Sequence, residues 1–195
     1  MGRRADHSRS DLSEMILSAA EDITSKFGDT GLTVRRIASQ IGYSVGTIYN
    51  LFEDLDEVII HVNARTLDAL YESCVRVGVH QTPEDGLRAY AKAYVRFTEK
   101  HERRWALLLG HRSPPLPELP EWYQQKVRRL LSLIEEALTS LFRGDQGNER
   151  LRAARVLWAS IHGISSLART RAIAGKPSEL ADDLIVTYLR GLRER

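Results

Sequence analysis

The stretch from Thr33 to Phe52, TVRRIASQIGYSVGTIYNLF, sets two short amphipathic segments on either side of a glycine. In the first, Val34, Ile37, Ala38 and Ile41 recur at three- and four-residue steps, which gathers them on one helical face. Thr33 stands where an N-cap hydroxyl is needed. Gly42 can take the left-handed conformation that ends a helix, and Ser44 offers a second N-cap to a segment whose Ile48, Leu51 and Phe52 turn inward. Two helices joined this tightly cross steeply, bury one face each and leave Val45, Thr47, Tyr49 and Asn50 outside. That is the spacing of a helix-turn-helix that offers its second helix to DNA. It also fits a tight αα-corner that touches no nucleic acid, and the spacing leaves both open.

On either side the pattern stays helical. Upstream, a helix over Asp11 to Phe27 carries Leu12, Met15, Ile16, Ala19, Ile23 and Phe27 on one stripe and stops at Gly28. Downstream, Asp54 and Glu57 have capping-box spacing at the start of a helix expected to reach Val77. Further helices are expected over Pro83 to His101, Arg103 to Gly110, Glu121 to Phe142, Glu149 to Ala174 and Ser178 to Arg193. Four prolines between Pro114 and Pro120 forbid helix and favour an extended connecting loop. No run alternates with strand period and no internal repeat appears, so the fold class is all-α.

At 195 residues, 43% of them hydrophobic, the chain can bury a sizeable core. No apolar run reaches the ~20 residues of a membrane span, and MGRRADHSRSD lacks the apolar core of a signal peptide, so a cytoplasmic protein is expected. The single Cys74 has no partner for an intramolecular disulfide and is expected to be a small core residue. The net charge of +2 hides an uneven distribution. Residues 1 to 57 hold six bases (Arg3, Arg4, Arg9, Lys26, Arg35 and Arg36) against ten acids, a balance of −4. A DNA-facing part of this kind works through the placement of a few bases, and its affinity should fall only gently with salt.

The first helix, followed by Gly31 to Phe52 with Thr33, Ile37, Ala38, Gly42, Ser44, Gly46, Thr47, Tyr49 and Phe52 in register, resembles the N-terminal domain of the tetracycline-repressor (TetR) family of transcriptional regulators. The resemblance implies a helix-turn-helix domain over residues 1–53 and a larger helical ligand-binding and dimerisation domain over 54–195. It implies a homodimer on a palindromic double-stranded operator, most simply a repressor released by a small, mainly apolar molecule. The alternative is a DNA-binding regulator controlled by a partner protein.

On that resemblance Ser44, Val45, Gly46, Thr47, Tyr49 and Asn50 lie in the major groove. Asn50 alone offers the side-chain amide that pairs bidentately with adenine, Val45 and the Thr47 methyl suit thymine methyls, and the hydroxyls suit phosphates. Thr33, Val34 and Arg35 fall beside the backbone. Arg3 and Arg4 suit a minor-groove arm, or equally a basic tail without function. Leu51 and Leu55 depart from the family pattern, which commonly has His or an aromatic residue at the first and Lys at the second. Glu53, Asp54, Asp56 and Glu57 would repel phosphates and are expected to point along the helix start instead.

The resemblance also implies an effector pocket, mostly apolar and lined by some of Tyr90, Tyr94, Phe97, Trp105, Leu108, Trp122, Trp158 and His162. Ordinary core packing is the competing role for each. Trp158, His162 and Gly163 resemble a Trp-His-Gly motif of some TetR-type C-terminal domains, where the His could meet a ligand or simply donate one hydrogen bond in the core. The last two helices are apolar over unusually wide faces, which fits a dimer interface including Trp158, Ile161, Gly163, Leu184 and Tyr188, or else burial within one subunit. No Gly-rich phosphate loop, nucleophile elbow, convergent carboxylate pair or metal-ligand spacing is present. An enzyme, a cofactor and a metal site are therefore not expected.

Overall fold

A computed structural model describes residues 7–78, 80–111 and 114–194. Arg3 and Arg4, the candidates for a minor-groove arm, lie outside the described residues. The described chain is helical without strands: α1 (Arg9–Phe27), α2 (Val34–Ile41), α3 (Val45–Tyr49), α4 (Leu55–Val75), α5 (Pro83–Lys100), α6 (Glu102–Gly110), α7 (Glu121–Ala137), α8 (Gly147–Arg169) and α9 (Pro177–Arg193). Three short 3-10 turns lie at Asp29–Gly31, Leu116–Glu118 and Thr139–Leu141. Two of them correct the sequence reading. The proline-rich loop is not wholly extended, because Leu116–Glu118 coil once with Glu118 N–H donating to Pro115. The seventh helix stops at Ala137 and tightens into a 3-10 turn instead of running to Phe142. The eighth ends at Arg169 rather than Ala174, followed by Arg171 with a positive φ of 56°.

Contacts divide the chain into two compact units, Met1–Thr66 with His101–Leu119, and Leu67–Lys100 with Pro120–Arg195. The division expected at 53/54 follows the motif, whereas packing carries the first unit into α4 and adds α6. The reason is visible in the first unit's core. Ile16, Ala20, Ile23, Ile37, Ile48, Phe52, Val58 and Val62 form one buried cluster that also takes in Leu107 of α6. A five-residue helix such as α3 lies far below the ~12–15 residues at which isolated helices become marginal in water. Its place is therefore set by this cluster, into which Ile48 is fully sunk. A charged network adds to the same unit: Arg104 reaches Glu21 (2.6 Å) and Arg65 reaches Glu14 and Glu21.

The second unit packs α5 against α9, α7 against α8, and α8 against α9. Leu87, Ala91, Leu130, Ile134, Leu138, Ala154, Leu157, Ile161, Ile185 and Leu189 are among its buried apolar residues, on faces spaced by three and four. Arg88 of α5 forms a bidentate pair with Asp182 of α9, and Arg150 of α8 holds Glu135 of α7 at 3.2 Å.

Candidate functional site

The exposed face begins with its caps. Thr33 accepts from the Arg36 N–H (3.2 Å) and starts α2. Gly42, at φ 75° and ψ 25°, ends it in the left-handed region, where a Cβ would be strained. Ser44 then accepts from the Thr47 N–H (3.2 Å) and starts α3. Asn50 closes α3, and its side chain is exposed. Between Ser44 and Asn50 every other residue looks outward or half outward except Ile48, and Tyr49 is 53% exposed. Gly46 is open, with only the Ser44 hydroxyl near the place of a Cβ.

Two of the DNA-contact candidates are more committed than their spacing suggests. Val45 and Val34 are half-buried and pack on the core cluster, so each shows only part of its side chain. The Thr47 hydroxyl lies 3.0 Å from that of Ser44. Arg35 is exposed, but its neighbour Arg36 is used internally: it donates to the Gly31 carbonyl (2.9 Å), and its guanidinium sits 4.6 Å from the Phe27 ring centre. A Cβ on Gly31 would lie 2.3 Å from the Phe27 Cβ. The spacing pattern missed this α1–α2 clasp, although a glycine immediately ahead of the motif was a signal for close approach.

The acids after α3 are turned to their own unit. Asp54 accepts from the Glu57 N–H (2.8 Å), as its capping position requires. Glu57 reaches back to the Glu53 N–H (2.6 Å), one residue beyond the capping-box partner. Asp56 meets His111 at 3.0 Å. Leu51 and Leu55 are half-buried against the core, which gives the two departures from the family pattern a packing role. His61 packs edge-on to Phe52, and burial holds its imidazole below the usual range.

In the second unit an apolar cavity of about 30 Å³ is lined by Cys74, Leu87, Tyr90, Ala91, Tyr94, Leu130, Leu133, Ile134, Trp158 and Ile161. Of the eight ligand candidates, Tyr90, Tyr94 and Trp158 reach it, and His162 lies behind, 2.8 Å from the Tyr94 hydroxyl through Nδ1. The others do not line it. Phe97 is buried elsewhere in α5, and Trp122 lies at the surface against Tyr123. Trp105 and Leu108 belong to the first unit, Trp105 being buried there, because α6 packs on α1. The aliphatic lining was legible only as helical stripe. Burial pushes the Cys74 thiol up to about 12, so it stays protonated, and holds His162 below the usual imidazole range.

On the outer side of α8, Val156, Ala159 and Leu167 are exposed and Gly163 opens onto free space. Leu184 and Tyr188 of α9 are half-buried. Ile161 is a correction: it is 5% exposed and faces the cavity, so it is spent inside the unit, and Trp158 also lines that cavity. Among the described residues no group of three His, Cys, Asp or Glu could hold a metal, and no helix is long and apolar enough to cross a membrane.

Two family patterns match the chain. One, described as bacterial regulatory proteins of the tetR family, matches residues 16–62; the other, described as a tetracyclin repressor-like C-terminal domain, matches residues 87–188. The second takes in Trp158, His162 and Gly163 without singling them out. A curated relative is an uncharacterized HTH-type transcriptional regulator of Mycobacterium tuberculosis, 24% identical over 93% of this chain and 82% of its own length. Among solved structures, a protein of unknown function from Rhodococcus sp. RHA1 has a TM-score of 0.75 at 24% identity, covering 98% of this chain and all of its own (100%). A TetR regulator from Streptomyces coelicolor has a TM-score of 0.68 at 20% identity, with 93% and 97% covered. These structural likenesses speak for the fold.

Proposed function

The chain belongs to the TetR family of transcriptional regulators, DNA-binding proteins rather than enzymes, and on that premise we propose that it is a cytoplasmic repressor. In this reading a homodimer grips a palindromic operator through the 1–53 module, and a small, mainly apolar molecule bound within 54–195 releases it. The observation that supports the DNA contact is α3 itself, fixed from below by Ile48 while Ser44, Gly46, Tyr49 and Asn50 are exposed and Thr47 is half-exposed above. Thr33 and Arg35 flank the groove, with half-buried Val34 and Val45 contributing only their outer methyls. Arg3 and Arg4 complete the set as a basic arm.

A dimer is supported by the apolar strip on α8, where Gly163 leaves room for a neighbouring helix, with Leu184 and Tyr188 beside it on α9. The effector site is supported by the cavity at Tyr90, Tyr94 and Trp158, with His162 as the polar group behind it.

Gel shifts on a palindrome selected from genomic fragments test the DNA face. Tyr49→Ala, at an exposed side chain whose loss leaves the core intact, should weaken binding by about tenfold, the equivalent of ~1.4 kcal/mol. Unchanged affinity would remove α3 from the interface. Sedimentation tests the pairing: Gly163→Leu, which loads a bulky side chain onto the open face, should turn dimer into monomer. A dimer that survives it pairs through another face.

A further inference from the structure

Two voids of the second unit meet at one side chain. The apolar cavity of about 30 Å³ and a surface groove of about 440 Å³ are both lined by Tyr90. The cavity as it stands holds about one water, whose share of liquid volume is ~30 Å³, whereas small-molecule sites run to roughly 300–1,000 Å³. The adjoining groove, which shares Tyr90 with the cavity, has room of that order. On its outer side Tyr90 is met edge-on by His80, ring centres 6.5 Å apart and planes at 85°. A Cβ on Gly86 would lie 3.7 Å from that histidine, in ordinary contact. The His80 Nε2 is buried and has no hydrogen-bond partner among the described residues, so the groove contains a polar atom waiting for one.

The charge around this route is one-sided. Among the described residues lining the two voids, Glu136 is the only Asp, Glu, Lys or Arg. Its neighbour Glu135 is held by Arg150, while the Glu136 carboxylate makes no ion pair or hydrogen bond among the described residues. Thr82, Thr139, Ser140 and Gln81 add neutral polar groups along the groove. A second groove, which also meets His80 and Gln81, carries Arg88, Lys92 and Arg96 with Asp85, but Asp182 engages the first two bases and Tyr90 does not line it. An anionic ligand at Tyr90 would face like charge without a compensating base, at a desolvation cost nothing there repays.

We propose that Tyr90 is the door between groove and cavity, and that the ligand it admits is an amphiphile with an apolar body and a cationic amine head. The body lies behind Tyr90 among Ala91, Leu130, Ile134 and Trp158, and the ammonium rests beside Glu136 with the Thr139 and Ser140 side of the groove as its rim. Burial first, and then the Glu136 charge, hold the Tyr90 hydroxyl above its usual range, so the door carries a neutral phenol. The inference rests on the small-molecule reading of the same cavity and narrows it to one charge class.

The experiment titrates decylammonium, decanol and decanoate into the purified full-length protein while tryptophan emission is followed, with Trp158→Phe as the control that assigns the signal to the cavity. Decylammonium should bind roughly five- to tenfold more tightly than decanoate. Glu136→Gln, at an exposed position, should close that gap and leave decanol unchanged. Tyr90→Ala should speed the association of decylammonium in stopped flow, and Tyr90→Phe should leave it unaltered. Equal binding of decanoate and decylammonium, or a gap that survives Glu136→Gln, overturns the cationic class while an apolar pocket still stands. An unchanged rate in Tyr90→Ala overturns the door. Failure of all three probes to move Trp158 emission overturns the inference together with the small-molecule reading beneath it.

Discussion

The helix-turn-helix of the first unit and the cavity of the second are made of the same kinds of apolar side chain, but they are packed to different tolerances. Around α3 the core closes tightly, with Ile37 and Ile48 wholly buried and Phe52 4% exposed, and Gly31 packs so near the end of α1 that a Cβ there would lie 2.3 Å from the Phe27 Cβ. Around Trp158 the lining side chains stop short of one another and leave about 30 Å³. A short helix that must meet DNA in one orientation needs the first arrangement, since nothing within five residues fixes it. A site that must accept a molecule needs the second, because a core at full density has nowhere to put one.

The sharpest way to break this contrast is to loosen the tight side. Ile48→Ala removes a fully buried side chain from beneath the recognition face and should cost about 2–5 kcal/mol. Thermal melts should show the fall, and gel shifts should show lost operator binding even where the protein is still folded. If operator affinity stays at the wild-type level in the folded fraction, α3 is not held by its core in the way its burial implies.

Next comes the clasp between α1 and α2. Gly31→Ala would force its new methyl into the Phe27 Cβ, against backbone-bound carbon that cannot swing away. Overpacking of this kind costs typically about 1–3 kcal/mol, so a lower midpoint in urea with an unchanged slope is expected. A neutral result would mean that α1 shifts freely relative to α2, and the first unit would then be less tightly fitted than the second.

How far each region was legible in the sequence follows from the same contrast. Thr33, Gly42 and Ser44 announce helix ends by local hydrogen bonding, which acts within three or four residues and so leaves its mark on spacing. Ile37 and Ile48 fall on stripes that could only face inward. The cavity has no such local signature. Trp105 and Trp158 look alike in a list of aromatic residues, and only the packing of α6 on α1 sends the first into the other unit. Ile161 sits on the same wide stripe as its neighbours in α8, and which side of that stripe faces α5 and α7 is decided by contacts far away in sequence. Arg36, counted in the sequence only as one of six bases, is a clasp between α1 and α2, because its contact with the Phe27 ring nine residues back is one that periodicity does not reveal.

The smallest effect separates the units by pH. Both hold a half-buried histidine, His61 beneath Phe52 and His162 beside Tyr94, and burial lowers each below its ordinary value of about 6.5. A folded-state value below the unfolded one means the unfolded chain takes up protons first as pH falls. Stability is therefore whole above about pH 6.5 and declines as pH drops through that value, levelling off below the folded-state value. His162 is open enough to water that screening trims the effect, so its direction is the useful part. Melts at neutral and mildly acidic pH should show that His162→Asn loses less stability on acidification than the wild type; at His61 the Glu57 charge opposes the shift that burial causes. Identical acid sensitivity in wild type and variant would mean that water already reaches His162 freely, and the cavity wall behind Tyr94 would then be open rather than closed.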